Sequence, residues 1–216
     1  MHSLRQFLQN LRPHHKPPAP DFVGYEVLLD FIEKHSLHKL AGDLIEIGSF
    51  MGGGTIKLAR YARKHGKRVF AIDIFNPAVD DTATPDGTMM SDIYLAFLEG
   101  RSQLEVYEET VRDLDNIVTV KQDSKTVSFP PEQKFVFGFI DGNHHPDYVR
   151  NDFQVVWQNL ADGGVLGFHD YNTDLPDVTA CINEIIAEHT EEIIETQEIA
   201  PQHIMLLVKG KKADTA

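Results

Sequence analysis

Two periods alternate along this chain, and that alternation constrains its fold more than any other feature. DLIEIGSF from residue 43 is a short apolar run, MGGGT is a glycine turn, and TIKLARYARKHG returns to helical spacing until Gly66 ends it. RVFAIDIF at 68–75 is a second apolar run. After a polar stretch, NPAVDDTATPDGTMM, helical spacing resumes from Asp92 to about Leu114. NIVTVKQDS at 116–124 and KFVFGFID at 134–141 read as strands, and the spacing predicts a helix over Tyr148–Leu160. The turn ADGG, a strand VLGFHD at 165–170 and a helix around Val178–His189 follow. A strand near IIETQEIA, a two-residue turn at Pro201 and Gln202, and a strand HIMLLVKG close the chain.

Strands that alternate with helices predict an α/β fold, a doubly wound sheet of seven strands with helices on both faces. The closing pair is a hairpin, so the sheet is mostly parallel with one antiparallel strand in a C-terminal hairpin. At 216 residues and 42% hydrophobic, the chain fits one domain over 21–216. Residues 1–20 precede it as an N-terminal arm, an amphipathic stretch with Leu4, Phe7, Leu8 and Leu11 and then a proline-rich connector. Apolar residues at helical spacing, among them Val27, Leu28, Phe31 and Ile32, predict a further helix over Tyr25–Lys39.

Charge and cysteine usage exclude several function classes. A formal net charge of -13, from 33 acids against 20 bases, repels phosphate backbones and anionic bilayers. Neither nucleic acid nor a membrane is an expected partner. Cys181 is the single cysteine, which rules out an intrachain disulfide and a thiolate metal cluster. A cytoplasmic location is the expectation, since the first twenty residues offer no continuous apolar stretch for export or for crossing a bilayer.

In open α/β sheets, ligands bind beyond the carboxyl ends of the strands. Five successive tips here carry acids: Glu46, Asp73, Asp123, Asp141 and Asp170. At the first, Glu46-Ile47-Gly48-Ser49-Phe50-Met51-Gly52 leads through two further glycines to Thr55. Such glycines let backbone approach a ligand closely. Their spacing departs from the G-x-G-x-x-G of dinucleotide folds, which counts against a nicotinamide-dependent dehydrogenase. Asp73, 25 residues after Gly48, ends the second strand. An acid there can accept hydrogen bonds from a ribose diol; the alternative is that it caps the next turn.

With Asp123 and Ser124 after the third strand and the terminal hairpin, these motifs resemble the class I S-adenosylmethionine-dependent methyltransferases over roughly residues 40–210. IDGNHHPDYVRNDF followed by LADGGVLGFHDY is similar to a narrower group that includes sugar and macrolide O-methyltransferases and the cephalosporin hydroxylase type. The resemblance implies a Rossmann-like fold and methyl transfer to a small-molecule acceptor, with oxygen the expected atom. It implies S-adenosylmethionine held by Glu46, Gly48, Ser49, Phe50, Met51, Gly52, Thr55, Asp73, Asp123, Ser124 and Asp141. A homo-oligomer is compatible with it.

The polar crowd after the fourth strand carries the chemistry. The resemblance implies His144 as general base, with Asp141 beside it as the second catalytic residue. His145 is the rival, and either histidine could be a turn residue without a role. Asp141 and Asp170 at neighbouring tips suit a hard cation such as Mg²⁺. Related metal-dependent enzymes carry a third ligand directly before the second acid, and here that position is His169, a departure. A nitrogen ligand moves preference toward Mn²⁺, Fe²⁺ or Zn²⁺. Because side chains alternate along a strand, His169 and Asp170 can share an ion only if the strand ends between them. Two readings stay open: a cation on Asp141, His169 and Asp170, or Asp141 and Asp170 as hydrogen-bond acceptors that shape the pocket.

Asp152, on the following helix, could orient a histidine or support the helix start. The connection over 76–91 is long, and such loops tend to be functional; its Met89–Met90 pair could instead fill the core. The alternative functions are a metal-dependent hydroxylase on the same fold and a protein that binds S-adenosylmethionine without catalysis.

Overall fold

Seven strands form one sheet: β1 (Asp43–Ile47), β2 (Val69–Asp73), β3 (Ile117–Lys121), β4 (Phe135–Ile140), β5 (Leu160–Phe168), β6 (Ile193–Ile199) and β7 (Ile204–Lys209). They stand in the order β3-β2-β1-β4-β5-β7-β6. β7 runs antiparallel to β5 and β6 while the other neighbours pair in parallel, so a single strand is reversed, as the hairpin predicts. The computed structural model describes residues 19–211, and the arm expected over 1–20 lies, up to residue 18, outside the described residues. No helix among the described residues is long and apolar enough to cross a membrane.

Helices α1 (Glu26–Lys34) and α2 (Gly53–Lys64) cover one face, packing Leu28, Ile32, Leu58 and Ala62 on Leu44, Phe137 and Phe139. On the other face lie α5 (Pro146–Trp157) and α6 (Pro176–Glu188), which bury Phe153, Val156 and Ile182 against Ile45, Ile140 and Leu166. Covered on both sides, β4 is buried along its whole length, which is why FVFGFI is a continuous apolar run and does not alternate. Two more helices, α3 (Met90–Leu98) and α4 (Gln103–Val111), fill the long connection between β2 and β3.

Several boundaries differ from the periodicity. The helix expected over Tyr25–Lys39 stops at Lys34, and Ser36 takes a left-handed conformation before a short 3-10 turn at Leu37–Lys39. The single helix expected from Asp92 to Leu114 is two, because Glu99 and Gly100 both have positive φ and break the hydrogen-bond ladder. Pro146 and Pro176 start α5 and α6 two residues earlier than the spacing suggested, since proline is preorganised for a first helical turn. The link between β6 and β7 is a 3-10 turn at Ala200–Gln202 followed by left-handed His203, longer than two residues.

From β1 the chain goes through α2 to β2 on one side, while β4 lies on the other. Their outgoing loops diverge, and the crevice between them is the topological switch point of the sheet. Gly48 sits there with φ +89°, and a Cβ on it would lie 1.9 Å from the carbonyl oxygen of Asp141. The loop after β1 thus crosses directly over the end of β4, where a side chain has no room. Gly48→Ala should lower stability by about 2–4 kcal/mol through backbone strain and overpacking. Urea unfolding checks this: an unchanged midpoint would mean that the loop is not seated on β4 as described.

Candidate active site

Asp73, the last residue of β2, fixes the shape of the glycine loop. Its Oδ2 accepts the backbone N–H groups of Ser49 and Phe50, both at 2.9 Å, and the side-chain amide of Gln103 at 3.0 Å. Oδ1 accepts the N–H of Phe75 at 2.6 Å, and a carboxylate oxygen with one bond can take another. This grip holds Phe50 in a left-handed conformation, φ +44°, which a bulky residue seldom adopts without such constraint. The ring of Phe50 then faces a cavity also lined by Gly48, Ser49, Met51 and Asp73.

Glu46, Gly52 and Thr55, expected at the cofactor, do not line that cavity. Glu46 points into the body of the fold and is fully buried; the hydroxyls of Ser49 (2.8 Å) and Thr55 both donate to its Oε2. Its Oε1 lacks a hydrogen bond of good geometry. These residues support the loop from behind. This orientation has a simple cause: Glu46 precedes the end of β1 by one residue, so its side chain follows the strand's alternation to a covered face.

Beyond β4, the structure separates the two histidines. His145 caps α5, its Nδ1 accepting the N–H of Asp147 at 3.3 Å, and its side chain is 57% exposed. His144 is buried on the cavity wall, with Nδ1 2.8 Å from Asp80 Oδ2 and Nε2 2.9 Å from Asp170 Oδ2. Burial opposes its charged form, but the hydrogen bonds of Asp170 and Asp80 outweigh that and lift the imidazole to about 10. The same pairing holds the Asp170 carboxyl well below the usual range despite its burial.

β5 ends at Phe168, and both His169 and Asp170 lie past it, with Asp170 at φ +58°. The alternation of the strand therefore no longer separates them. His169 Nδ1 lies 3.0 Å from Asp141 Oδ1 and 3.1 Å from Asp170 Oδ2, and one donor atom from each of the three residues falls within 4.8 Å of the others. Burial works against charge on His169 as well, yet the Asp141 carboxylate beside it carries it up to about 11. One nitrogen and two carboxylate oxygens could hold a divalent cation.

Elsewhere in the cavity lining, Asp123 caps a 3-10 turn at Ser124–Thr126, and its Oδ2 accepts the Tyr148 hydroxyl at 3.2 Å. Asp152 lines the same cavity and is buried, which pushes its carboxyl up to about 6. Its hydrogen bonds go to Ser124 and Asn151 and none to a histidine. The 76–91 connection contributes Asp80, and α3 after it contributes Met90, Ile93, Tyr94 and Phe97. Neither Met89 nor Met90 is buried, so the pair does not fill the core.

Sequence reasoning named Asp80 only as part of the long 76–91 connection, without its pairing to His144, and missed Tyr94, Gln103 from α4, and Phe22 and Tyr25 ahead of α1. Asp80 had a signal in the length of its loop. Gln103 had none, because only the packing of α4 brings it to Asp73.

A switch-point crevice with a glycine loop over it, an acid from β2 gripping that loop, and a sheet closed by one reversed strand define the class I methyltransferase fold. Residues 45–171 match the family described as Methyltransferase domain, and the chain belongs to that family. Comparison with curated proteins finds no match. Among solved structures it is similar to the O-methyltransferase NovP, with 16% identity, 86% of this chain and 79% of that chain covered, and a TM-score of 0.66. It is also similar to CalS11, a calicheamicin methyltransferase, with 13% identity, 86% and 78% covered, and a TM-score of 0.60. A third is MycE from the mycinamycin pathway, in complex with Mg, SAH and mycinamycin VI, with 12% identity, 91% and 52% covered, and a TM-score of 0.56. At these identities the likeness is one of fold.

Burial pushes the Glu46 carboxyl from 4.5 up to about 7, against the hydroxyls of Thr55 and Ser49 that favour its charged form. The folded protein therefore holds this proton more tightly than the unfolded chain does. Its contribution to stability is complete below the unfolded pKa and is lost as pH rises through the folded one. Glu46→Gln keeps an acceptor for Ser49 and Thr55 but cannot titrate. Between about pH 4 and about pH 8, wild-type stability should fall by about 2–3 kcal/mol relative to the variant. Urea midpoints of both proteins across that range measure it, and parallel curves would mean an ordinary carboxylate.

Proposed function

We propose that the chain is a small-molecule O-methyltransferase in which His144 takes the proton of the acceptor hydroxyl. The observation that carries this reading is the position of His144, buried between Asp80 and Asp170 on the same cavity wall that the glycine loop completes. S-adenosylmethionine, when bound, supplies a methyl carbon on a positively charged sulfur. The protein then has to align an oxygen with that carbon and accept the oxygen's proton.

Gly48, Ser49, Phe50 and Met51 would surround the methionine portion, and the spare capacity of Asp73 Oδ1 would take a ribose hydroxyl. Asp123, Ser124 and Asp152 offer acceptors at the end where a purine amine would lie. Near the acceptor, the carboxylates of Asp80 and Asp170 stabilise the imidazolium that His144 becomes once it holds the hydroxyl proton. The same field keeps a resting proton on His144, so it serves as a base in its minority neutral form. Asp80 also fixes the ring, leaving Nε2 toward Asp170.

Asp141, His169 and Asp170 would hold a divalent cation, which would lend positive charge to an acceptor oxygen. Their nitrogen ligand favours Mn²⁺ or Fe²⁺ over Mg²⁺. NovP, an O-methyltransferase, supports an oxygen acceptor, and MycE, seen in complex with Mg and SAH, supports a cation.

Calorimetric titration of metal-stripped protein with S-adenosylmethionine and S-adenosylhomocysteine, with and without Mn²⁺ or Mg²⁺, tests the cofactor. Binding is expected in the wild type. Asp73→Ala should lose it and also cost about 1–3 kcal/mol of stability by orphaning partly buried N–H groups. With an acceptor in hand, His144→Ala should lower kcat about 10²- to 10⁴-fold while leaving S-adenosylhomocysteine affinity unchanged. Asp80→Asn should fall between it and the wild type. Wild-type protein that binds neither nucleoside would refute the proposal.

A further inference from the structure

The acceptor wall is aromatic at its mouth, and among the described residues no lysine or arginine lines it. Phe22 is 51% exposed and Phe97 49% exposed, although their rings meet at 4.6 Å between centroids. From them the aromatic surface continues inward: Phe22 to Phe50 at 6.0 Å, then Phe50 to Tyr94 at 5.3 Å. The Tyr94 hydroxyl lies 3.5 Å from Asp80 Oδ2, and Asp80 is bonded to His144. An unbroken strip of rings therefore leads from solvent to the proposed base. Exposed aromatics that form the lip of a cavity mark a binding surface, because water contact with them is relieved when a ligand covers them.

Charge narrows what the ligand can be. Among the described residues, seven aspartates line the cavity and no lysine or arginine does. Lys57 stands behind Asp21, 2.8 Å from its Oδ2, is also paired with Glu26, and does not line the cavity. A phosphate or carboxylate lying along these rings would lose its hydration without gaining a guanidinium or ammonium partner, and would meet a field of like charge from a chain of net charge -13. Nucleoside-diphosphate sugars and carboxylated phenols are disfavoured on those grounds.

We infer that the acceptor is a ring-bearing, largely apolar molecule with a free hydroxyl and no anionic group, lying along Phe22, Phe97, Phe50 and Tyr94 with its hydroxyl toward His144. The inference rests on the methyl-transfer reading above. Tyr94 separates the apolar strip from the polar cluster, its ring continuing the wall and its hydroxyl turned to Asp80. The specificity of the enzyme is then set by α3 and by the segment ahead of α1, elements outside the sheet.

Three probes that share one ring system separate the effects: 2-naphthol, 2-naphthoate and 2-naphthyl phosphate, titrated into the full chain with and without S-adenosylhomocysteine. The naphthol should bind about tenfold or more tightly than either anion. Phe97→Ala should weaken naphthol about fivefold or more through lost ring contact, while S-adenosylhomocysteine binds as in the wild type. Phe97→Lys should reverse the order and favour the phosphate. An anion that binds as well as naphthol, an indifferent Phe97→Ala, or no naphthol binding would each overturn the inference. Charge-selective naphthol binding by a protein that takes up no S-adenosylhomocysteine would instead overturn the methyltransferase reading and leave this surface assigned.

Discussion

The carboxylate of Asp73 holding the N–H groups of Ser49 and Phe50 is the interaction on which the rest of the site depends. It joins the end of β2 to the loop after β1, at the one place in the sheet where neighbouring connections part. Without it, two partly buried donors would lose their acceptor, and Phe50 would have no reason to keep a left-handed backbone. The loop shape then dictates the cavity: Gly48 passes over the end of β4, Phe50 faces inward, and Gly52 turns the chain into α2. Glu46 stabilises the same loop from within, through Ser49 and Thr55, at the cost of burying a carboxyl group.

On the other side of the crevice the structure gathers charge that an ordinary core would exclude. Asp80, Asp141, His144, His169 and Asp170 come from three separate connections and meet within hydrogen-bond distance. Burial alone would drive the carboxyls of Asp80 and Asp170 toward neutrality and the two imidazoles away from their charged forms. Pairing reverses both tendencies, and each acid of the cluster has a histidine beside it. Such a cluster adds little net stability compared with an apolar filling, so its presence is better explained by chemistry than by folding.

The two halves of the cavity follow different physical rules. The half built on the strand tips is polar, rigid and fixed by backbone hydrogen bonds. The half built from α3 and the segment around Phe22 is apolar, partly exposed and held by ring contacts. Few of its side chains are deeply buried: in α3 only Leu98 is. A site of this kind can keep one chemistry while its acceptor wall changes, because substitutions in α3 do not disturb the sheet.

Periodicity and punctuation in the sequence were enough for the sheet, its single reversed strand, and the strand-tip positions of Asp73, Asp123 and Asp141. Those properties are local: an apolar run of strand length, a glycine turn and an acid after it each act within a few residues. The break at Glu99–Gly100 escaped periodicity because helical spacing continued on both sides of it. The inward turn of Glu46 depended on where β1 stops, and the union of His169 with Asp170 on where β5 stops, boundaries that propensity resolves poorly. The burial of His144 beside an exposed His145, the approach of Asp80 to His144 across 64 residues, and the arrival of Gln103 at Asp73 were decided by tertiary structure alone. Contacts at that separation are set by how elements pack on the sheet, and no local pattern encodes which side chains the packing will bring together.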